Sequence, residues 1–459
     1  MMQKILAITW LTWKAALRFR LFAVVATLLV LAVVGLPLIV KDDGTARGFA
    51  QIILTYTLSA VTALLGFSTL WLSCGALARD IEDCQIQVVA TKPIARWQIW
   101  LGKWFGIASL NATLLVLAAA CIYGLLQWRA SRLPPMERQE LRQELLVARG
   151  SAHEADRTAD INAKTEEILQ DRLKANPGIE ADIDEVRKQI REQVVADSQL
   201  VPPGYYRPWN IYLGTSSDIH NKPLQLRIKF EAADHSLSGT YVGEWHIGNP
   251  DSTNFVVLPP MSLAPDTFHE FEIPAGLVSD KGYLTIVFVN DNNTSLLFPL
   301  EDGMEVLFPQ GGFTMNFIRA LGIIFCWLIL LSAIGLMAAS FLSFPVAAFF
   351  SITMLLVAFS SGTLAESVEL GTVTSGSTPT PGSRSITDTV MIPTLKGMLD
   401  VLNLVENFSP IDSLSSGRSV PWSELGAAFA RIVLLFGGAF AITGIALFSR
   451  RELAAAQNQ

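Results

Sequence analysis

The sequence predicts an α-helical polytopic membrane protein, with six transmembrane helices and an inserted extracytoplasmic helical stalk plus β-sandwich domain. Three observations predict it. Of 459 residues, 51% are hydrophobic and 16% charged, where a soluble protein averages about 25% charged, which argues against an ordinary cytosolic enzyme. The charge is also unevenly spread. Residues 1–128 carry ten Lys/Arg and five Asp/Glu, residues 129–312 seventeen and twenty-eight, and residues 313–459 seven and eight. A charged block between two charge-poor ones reads as a soluble domain set between membrane segments. Lastly, five uncharged stretches are long enough to cross a bilayer.

The first element is an N-terminal helix. Leu6, Trp10, Trp13 and Leu17 recur at helical spacing, and Lys4, Lys14, Arg18 and Arg20 are the only charges among the first twenty residues. The pattern predicts a helix in the membrane interface, with Trp10 and Trp13 among headgroups and Lys14 and Arg18 towards anionic lipid. A plain cytosolic lead-in to the first span is the alternative. The apolar core and cleavage site of a signal peptide are missing.

The spans follow. A helix needs about 20 apolar residues to cross a core of about 30 Å. Leu21–Val40, Gly48–Ala78 and Trp104–Trp128 carry no charge. Ala320–Ala365 is uncharged for 46 residues, enough for two crossings, with the turn at Phe341-Leu-Ser-Phe-Pro345. Ile432–Ser449 makes the sixth. Placing residues 1–20, 79–103, 341–345 and 450–459 on one side gives ten Lys/Arg in 60 residues, against five in 70 for 41–49 and 363–423. The richer side is expected to be cytosolic, which puts both termini inside and 129–312 outside. Trp97, Trp100, Trp104, Trp128 and Trp422 fall near the expected interfaces.

The insertion divides at about residue 201. Residues 129–201 predict a polar helical stalk or hairpin, broken at Gly150-Ser151 and Asn176-Pro177-Gly178, with Ile179, Ile183, Val186, Ile190 and Val194 on one face. Residues 202–312 switch to a period of two: Leu224, Leu226, Ile228 and Phe230 alternate with polar residues. Similar runs at 239–247, 253–258, 267–273, 282–290, 293–298 and 304–308 predict a β-sandwich. Tyr205, Tyr206, Trp209, Tyr241 and Trp245 are core or edge residues, or a stacking surface for a sugar or peptide. His153, His220, His235, His246 and His269 match no metal motif, and Cys74, Cys84, Cys121 and Cys326 have no metal-ligand spacing.

No phosphate loop, dinucleotide fingerprint, zinc-protease or nucleophile-elbow motif is present, so no catalytic residue, metal site or nucleic-acid partner is expected. Arg431, a turn or two into the last span, is the candidate intramembrane charge, with Glu366 and Glu369 as its candidate partners, or with its side chain snorkelling to the outer interface.

The long cytosolic loop is RDIEDCQIQVVATKPIARWQIWLGKW, from Arg79 to Trp104. Asp80, Glu82 and Asp83 open it, Lys92-Pro93 break it, and Arg96 and Lys103 close it among three tryptophans. Here the sequence resembles the type 2 ABC-exporter permeases, the six-span membrane subunits of ATP-binding-cassette transporters. Their loop between the second and third spans passes from an acidic helix through a Pro-x-x-Arg element, here Pro93–Arg96, to a Gly-Lys, here Gly102-Lys103. The N-terminal helix, the Phe341–Pro345 corner and the run Phe408-Ser409-Pro410, Gly417-Arg418, Trp422 fit the same pattern. The resemblance covers roughly 1–128 and 313–459; the 129–312 insertion departs from it.

The resemblance implies a permease half in a bacterial inner membrane. The chain would pair with a second half, an identical or related chain, and cytosolic ABC ATPase subunits would dock on the 79–103 loop through Asp80, Glu82, Asp83, Lys92, Pro93, Arg96 and Lys103. ATP and Mg would bind to those ATPases, leaving this chain without a cofactor of its own. It also implies re-entrant helices within 363–423, where Gly371–Ser385 is rich in Gly, Ser, Thr and Pro and Val390–Val405 is apolar. Two other readings stay open: a mechanotransmitter working an envelope partner through the outer domain, and a membrane-anchored binding module.

Overall fold

The computed structural model describes residues 2–18, 21–40, 45–83, 86, 94–175, 183–215, 219, 222–234, 239–248, 255–359, 395–396, 399, 408 and 410–451. The chain forms two compact units, Met1–Val147 with Gly312–Gln459, and Ala148–Gly311. Most of the described residues are helical, and the rest include a β-sheet domain.

The first unit opens with α1 (Met2–Arg18) and α2 (Leu21–Ile39). A third helix starts as α3 (Ala46–Ile52), capped by the Thr45 hydroxyl, which accepts from the Gly48 amide at 3.0 Å. It widens to a π-helical segment, π1 (Ile53–Thr57), and continues as α4 (Leu58–Glu82). Next come α5 (Arg96–Arg132) and α6 (Pro135–Glu144), the latter with proline in its first turn. Leu141 and Leu145 are buried in this unit's core, so the chain leaves it only after residue 147.

The second unit holds β1 (Val147–Ala152), α7 (Thr158–Ala175), α8 (Ile183–Gln199), β2 (Leu200–Val201), β3 (Tyr206–Tyr212), β4 (Leu224–Ile228), β5 (Glu231–Ala232), β6 (Tyr241–Gly248), β7 (Phe255–Leu263), β8 (His269–Ile273), β9 (Tyr283–Val289), β10 (Leu296–Leu297) and β11 (Met304–Gly312). Two four-stranded sheets, ordered β1-β11-β4-β8 and β3-β9-β6-β7, accompany a small β2-β10-β5 sheet. The alternation read at 224–230 is present: Leu224, Leu226 and Ile228 are buried, and Gln225 and Arg227 lie on the other face. Trp209, Trp245, Phe288 and Phe298 form an aromatic cluster in this core, Trp245 and Phe288 with ring centroids 4.6 Å apart. Trp209, Trp245 and Tyr241 are therefore core residues, while Tyr205 and Tyr206 stay exposed. The helical reading of 129–201 is corrected at two points: Val147–Ala152 and Leu200–Val201 are strands. Gly150 of the first, read as a helix break, lies where a Cβ would meet the Phe308 ring at 2.6 Å. Ile190 and Val194 are buried against Ile161 and Leu169, with Ile183 and Val186 packed beside them. Ile179 and the 176–178 break lie outside the described residues.

The chain re-enters the first unit as α9 (Phe313–Ala339), which packs on α4 and α5. Gly335 faces Ser73 of α4 with no room for a Cβ, the small-residue packing that lets helices approach without a hydrophobic driving force. After a short turn α10 (Phe344–Phe359) begins, with Pro345 in its first turn. Then come α11 (Pro410–Ser415), α12 (Trp422–Ala428), a second π-helical segment, π2 (Phe429–Gly437), and α13 (Gly438–Arg450). Among the described residues, five helices are long and apolar enough to cross a membrane: Phe22–Ile39, Gly48–Glu82, Arg96–Arg132, Phe313–Ala339 and Trp422–Arg450. Of the stretch expected to supply the fifth of six spans, the described residues include the 16 of α10, or about 24 Å of helix. Most of 363–423, including Glu366, Glu369 and Gly371–Ser385, lies outside the described residues.

Candidate functional site

The residues flanking the 79–103 loop meet at one end of the helical unit, and each is fastened to a different partner helix. Asp80 and Glu82 sit in the last turn of α4, where the chain leaves an apolar helix for a polar segment. Lys103 lies two turns into α5 and is 8% exposed. Its ammonium donates to the Asp80 carboxylate and to the Ala76 carbonyl, joining α5 to the end of α4. A buried ammonium requires such a counter-charge, because desolvation without one costs several kcal/mol, by order of magnitude.

Glu82 turns to α10. Its Oε1 accepts from the Phe344 amide at 2.8 Å, occupying one of the donors that the first turn of a helix leaves unpaired. A carboxylate is also favoured there by the helix dipole. Beside it, the Arg79 guanidinium lies 4.2 Å from the centroid of the Phe344 ring.

Arg96 opens α5 and reaches α13. Its Nη1 donates to the carbonyls of Phe448 at 3.2 Å, Ser449 at 2.7 Å and Arg451 at 2.8 Å. A helix end leaves its last carbonyls without internal partners, and a cation there satisfies them. Trp100, one turn further on, is wholly buried and donates through Nε1 to Ser340 Oγ at 3.3 Å. A Cβ on Gly444 of α13 would fall 2.9 Å from that nitrogen. Trp100, expected near an interface, is thus a packing residue of the helix ends. Trp128 and Trp422 are exposed.

α1 lies against the same part of α5. Ile8, Thr12 and Ala16 are buried. Thr9 Oγ1 donates to the Gly102 carbonyl at 3.0 Å, and Trp13 Nε1 to Ser109 Oγ at 2.8 Å. Contacts of Ile8 with Gly102 and of Thr12 with Gly106 advance together along both chains, so the two helices run parallel. Trp10 remains exposed, with the Lys14 ammonium 5.8 Å from its ring centroid, and Arg18 is in the last turn.

Of the predicted site residues, Asp80, Glu82, Arg96 and Lys103 are brought to one end of the helical unit, engaged with their own chain. Asp83 is exposed at the end of α4. Lys92 and Pro93 lie outside the described residues, as does Cys84. Arg431 falls within π2, on an exposed face, with its guanidinium 5.9 Å from the Phe408 ring centroid. The reading of the sequence missed Asn316, wholly buried in α9. Its Nδ2 donates to the Arg418 carbonyl at 2.6 Å and its Oδ1 accepts from the Val420 amide at 2.7 Å. A lone asparagine in a largely apolar helix was its only signal. Among the described residues, no group of three or more His, Cys, Asp or Glu is placed to hold a metal ion. Comparison with protein-family models, with curated proteins and with solved structures finds no match to the chain.

Proposed function

We propose that the chain is the membrane-spanning permease subunit of an ABC transporter, an exporter, worked by separate ATPase subunits that dock on the 79–103 loop. On this reading it lies in a bacterial inner membrane with α10 in its fifth span, both termini cytosolic and 129–312 outside, and pairs with a second permease half. The observation that carries the reading is the way the loop is rooted. Glu82 caps α10, Arg96 closes α13 and Lys103 ties α5 to α4. A partner that displaces the loop therefore pulls on four helices together. ATP shifts such a device only by binding better to the state in which the loop is displaced.

The test is purification from the native membrane with identification of what stays bound. An ATPase subunit is the expected partner. Lys92→Glu, within the loop, is expected to weaken that association, and Glu82→Lys or Arg96→Glu to lower ATP turnover severalfold with membrane insertion retained. If no ATPase co-purifies and none of the three changes turnover, the reading fails.

The mechanotransmitter reading has one observation in its favour. β11 ends at Gly312 and α9 begins at Phe313, with no intervening linker. On that reading ATP turnover depends on an envelope partner and no solute crosses the membrane.

A further inference from the structure

We propose that the Ala148–Gly311 unit binds a small zwitterion with an apolar body, an amino acid or short peptide with free termini. The site is a cavity of about 790 Å³ bounded by the 154–158 segment, α7, α8 and the 299–302 turn. That volume falls in the range of small-molecule sites, and such sites combine an apolar lining with a few placed polar groups. Ile161, Val195, Pro299 and Leu300 supply the apolar part.

The charges around it decide the ligand class. Six line the cavity, and four are already engaged. Glu154 meets Arg207 at 3.3 Å and Arg157 at 3.7 Å. Asp302 pairs with Lys229 at 2.9 Å, and Asp156 accepts from the Thr158 amide at 2.8 Å. Arg191 on α8 and Glu301 on the turn are different. Both line the cavity, and among the described residues neither side chain has an ion pair or hydrogen-bond partner, nor do they meet each other. One uncommitted cation and one uncommitted anion therefore face a shared space with an apolar floor. A ligand that is neutral overall but charged at both ends answers both, its carboxylate on Arg191 and its ammonium on Glu301, as charge-assisted hydrogen bonds. The inference does not rest on the transporter reading.

The experiment is calorimetric titration of the full chain in detergent with leucine and with alanyl-leucyl-alanine, alongside the N-acetylated and C-amidated tripeptides. Saturable binding of a free zwitterion is expected, weakened about tenfold or more by either blocking group. Arg191→Ala is expected to weaken the free tripeptide about tenfold and to leave its amide unchanged; Glu301→Gln does the same with respect to the acetylated peptide. Both side chains are exposed, so the variants should melt like the parent. Absence of saturable binding, equal binding of blocked and free peptides, or indifference to both substitutions overturns the proposal.

Discussion

Gly102 of α5 and Ile8 of α1 pack so closely that a Cβ on the glycine would fall 2.7 Å from Ile8 Cβ. One turn on, a Cβ on Gly106 would fall 2.7 Å from Thr12 Cβ. Gly102-x-x-x-Gly106 is thus a groove that receives α1, in the manner of small-residue helix pairs in membranes. Gly102→Ala is expected to cost about 1–3 kcal/mol through overpacking. Adding Ile8→Gly, which removes both the Cβ and the Cγ2 that the new methyl would meet, should make the combined loss smaller than the sum of the two single losses. Thermal unfolding of the four members of the cycle measures the coupling, and additive losses would show that the two residues do not interact.

Lys103 and Asp80 form the second test of the helix ends. Asp80→Asn leaves the Lys103 ammonium buried without its counter-charge, whereas Asp80→Asn with Lys103→Met removes both charges. Breaking one side of a buried pair costs more than replacing both. Asp80 is partly exposed, with 36% of its side chain accessible, so the expected loss is moderate, about 1–3 kcal/mol. The double variant should lie closer to the parent in melting temperature than Asp80→Asn alone. A double variant less stable than either single one would sink the assignment.

Much of this architecture was legible because its signals are local. Charge-free runs mark helices such as α2 and α9, and alternation at 224–230 marks β4. Gly102-Lys103 drew attention as a motif, but its two roles are tertiary: the glycine admits Ile8 and the lysine finds Asp80, 23 residues earlier in the chain. Spacing along one segment says nothing of such partners. The same holds for Trp100, whose fate depends on Ser340 and Gly444, and for Arg96, which reaches carbonyls more than 350 residues away. The strand β1 was hidden for another reason. Val147–Ala152 is short and carries Gly150, and its pairing with β11 lies across the whole inserted unit. The π-helical segments at Ile53–Thr57 and Phe429–Gly437 leave no periodic signature in largely apolar runs.

Topology is testable without knowing the function. In a background lacking Cys74, Cys84, Cys121 and Cys326, single cysteines are placed at Asp171, whose side chain is 70% exposed, and at exposed Lys4. The Asp171 position is expected to react with a membrane-impermeant maleimide in intact cells, and the Lys4 position only after the membrane is opened. Reaction of Asp171→Cys solely from the cytosolic side would reverse the orientation derived from the Lys/Arg distribution.

Asp156 gives the inserted unit a pH dependence with a defined sign. Its carboxylate accepts from the Thr158 amide and hydroxyl at the start of α7, and these hydrogen bonds hold its pKa below the ordinary aspartate value. Protonation therefore disfavours the folded state. The contribution is fully present above the unfolded-state pKa of about 3.9 and fades as pH falls through the lower folded value. Asp156→Ala should lower the melting temperature at pH 6, read by the fluorescence of the core residues Trp209 and Trp245. Parent and variant should converge as the pH falls from about 3.9 through the lower folded value, because the parent loses by protonation what the variant never had. A difference that stays constant over that interval would assign the effect to packing and not to the charged cap.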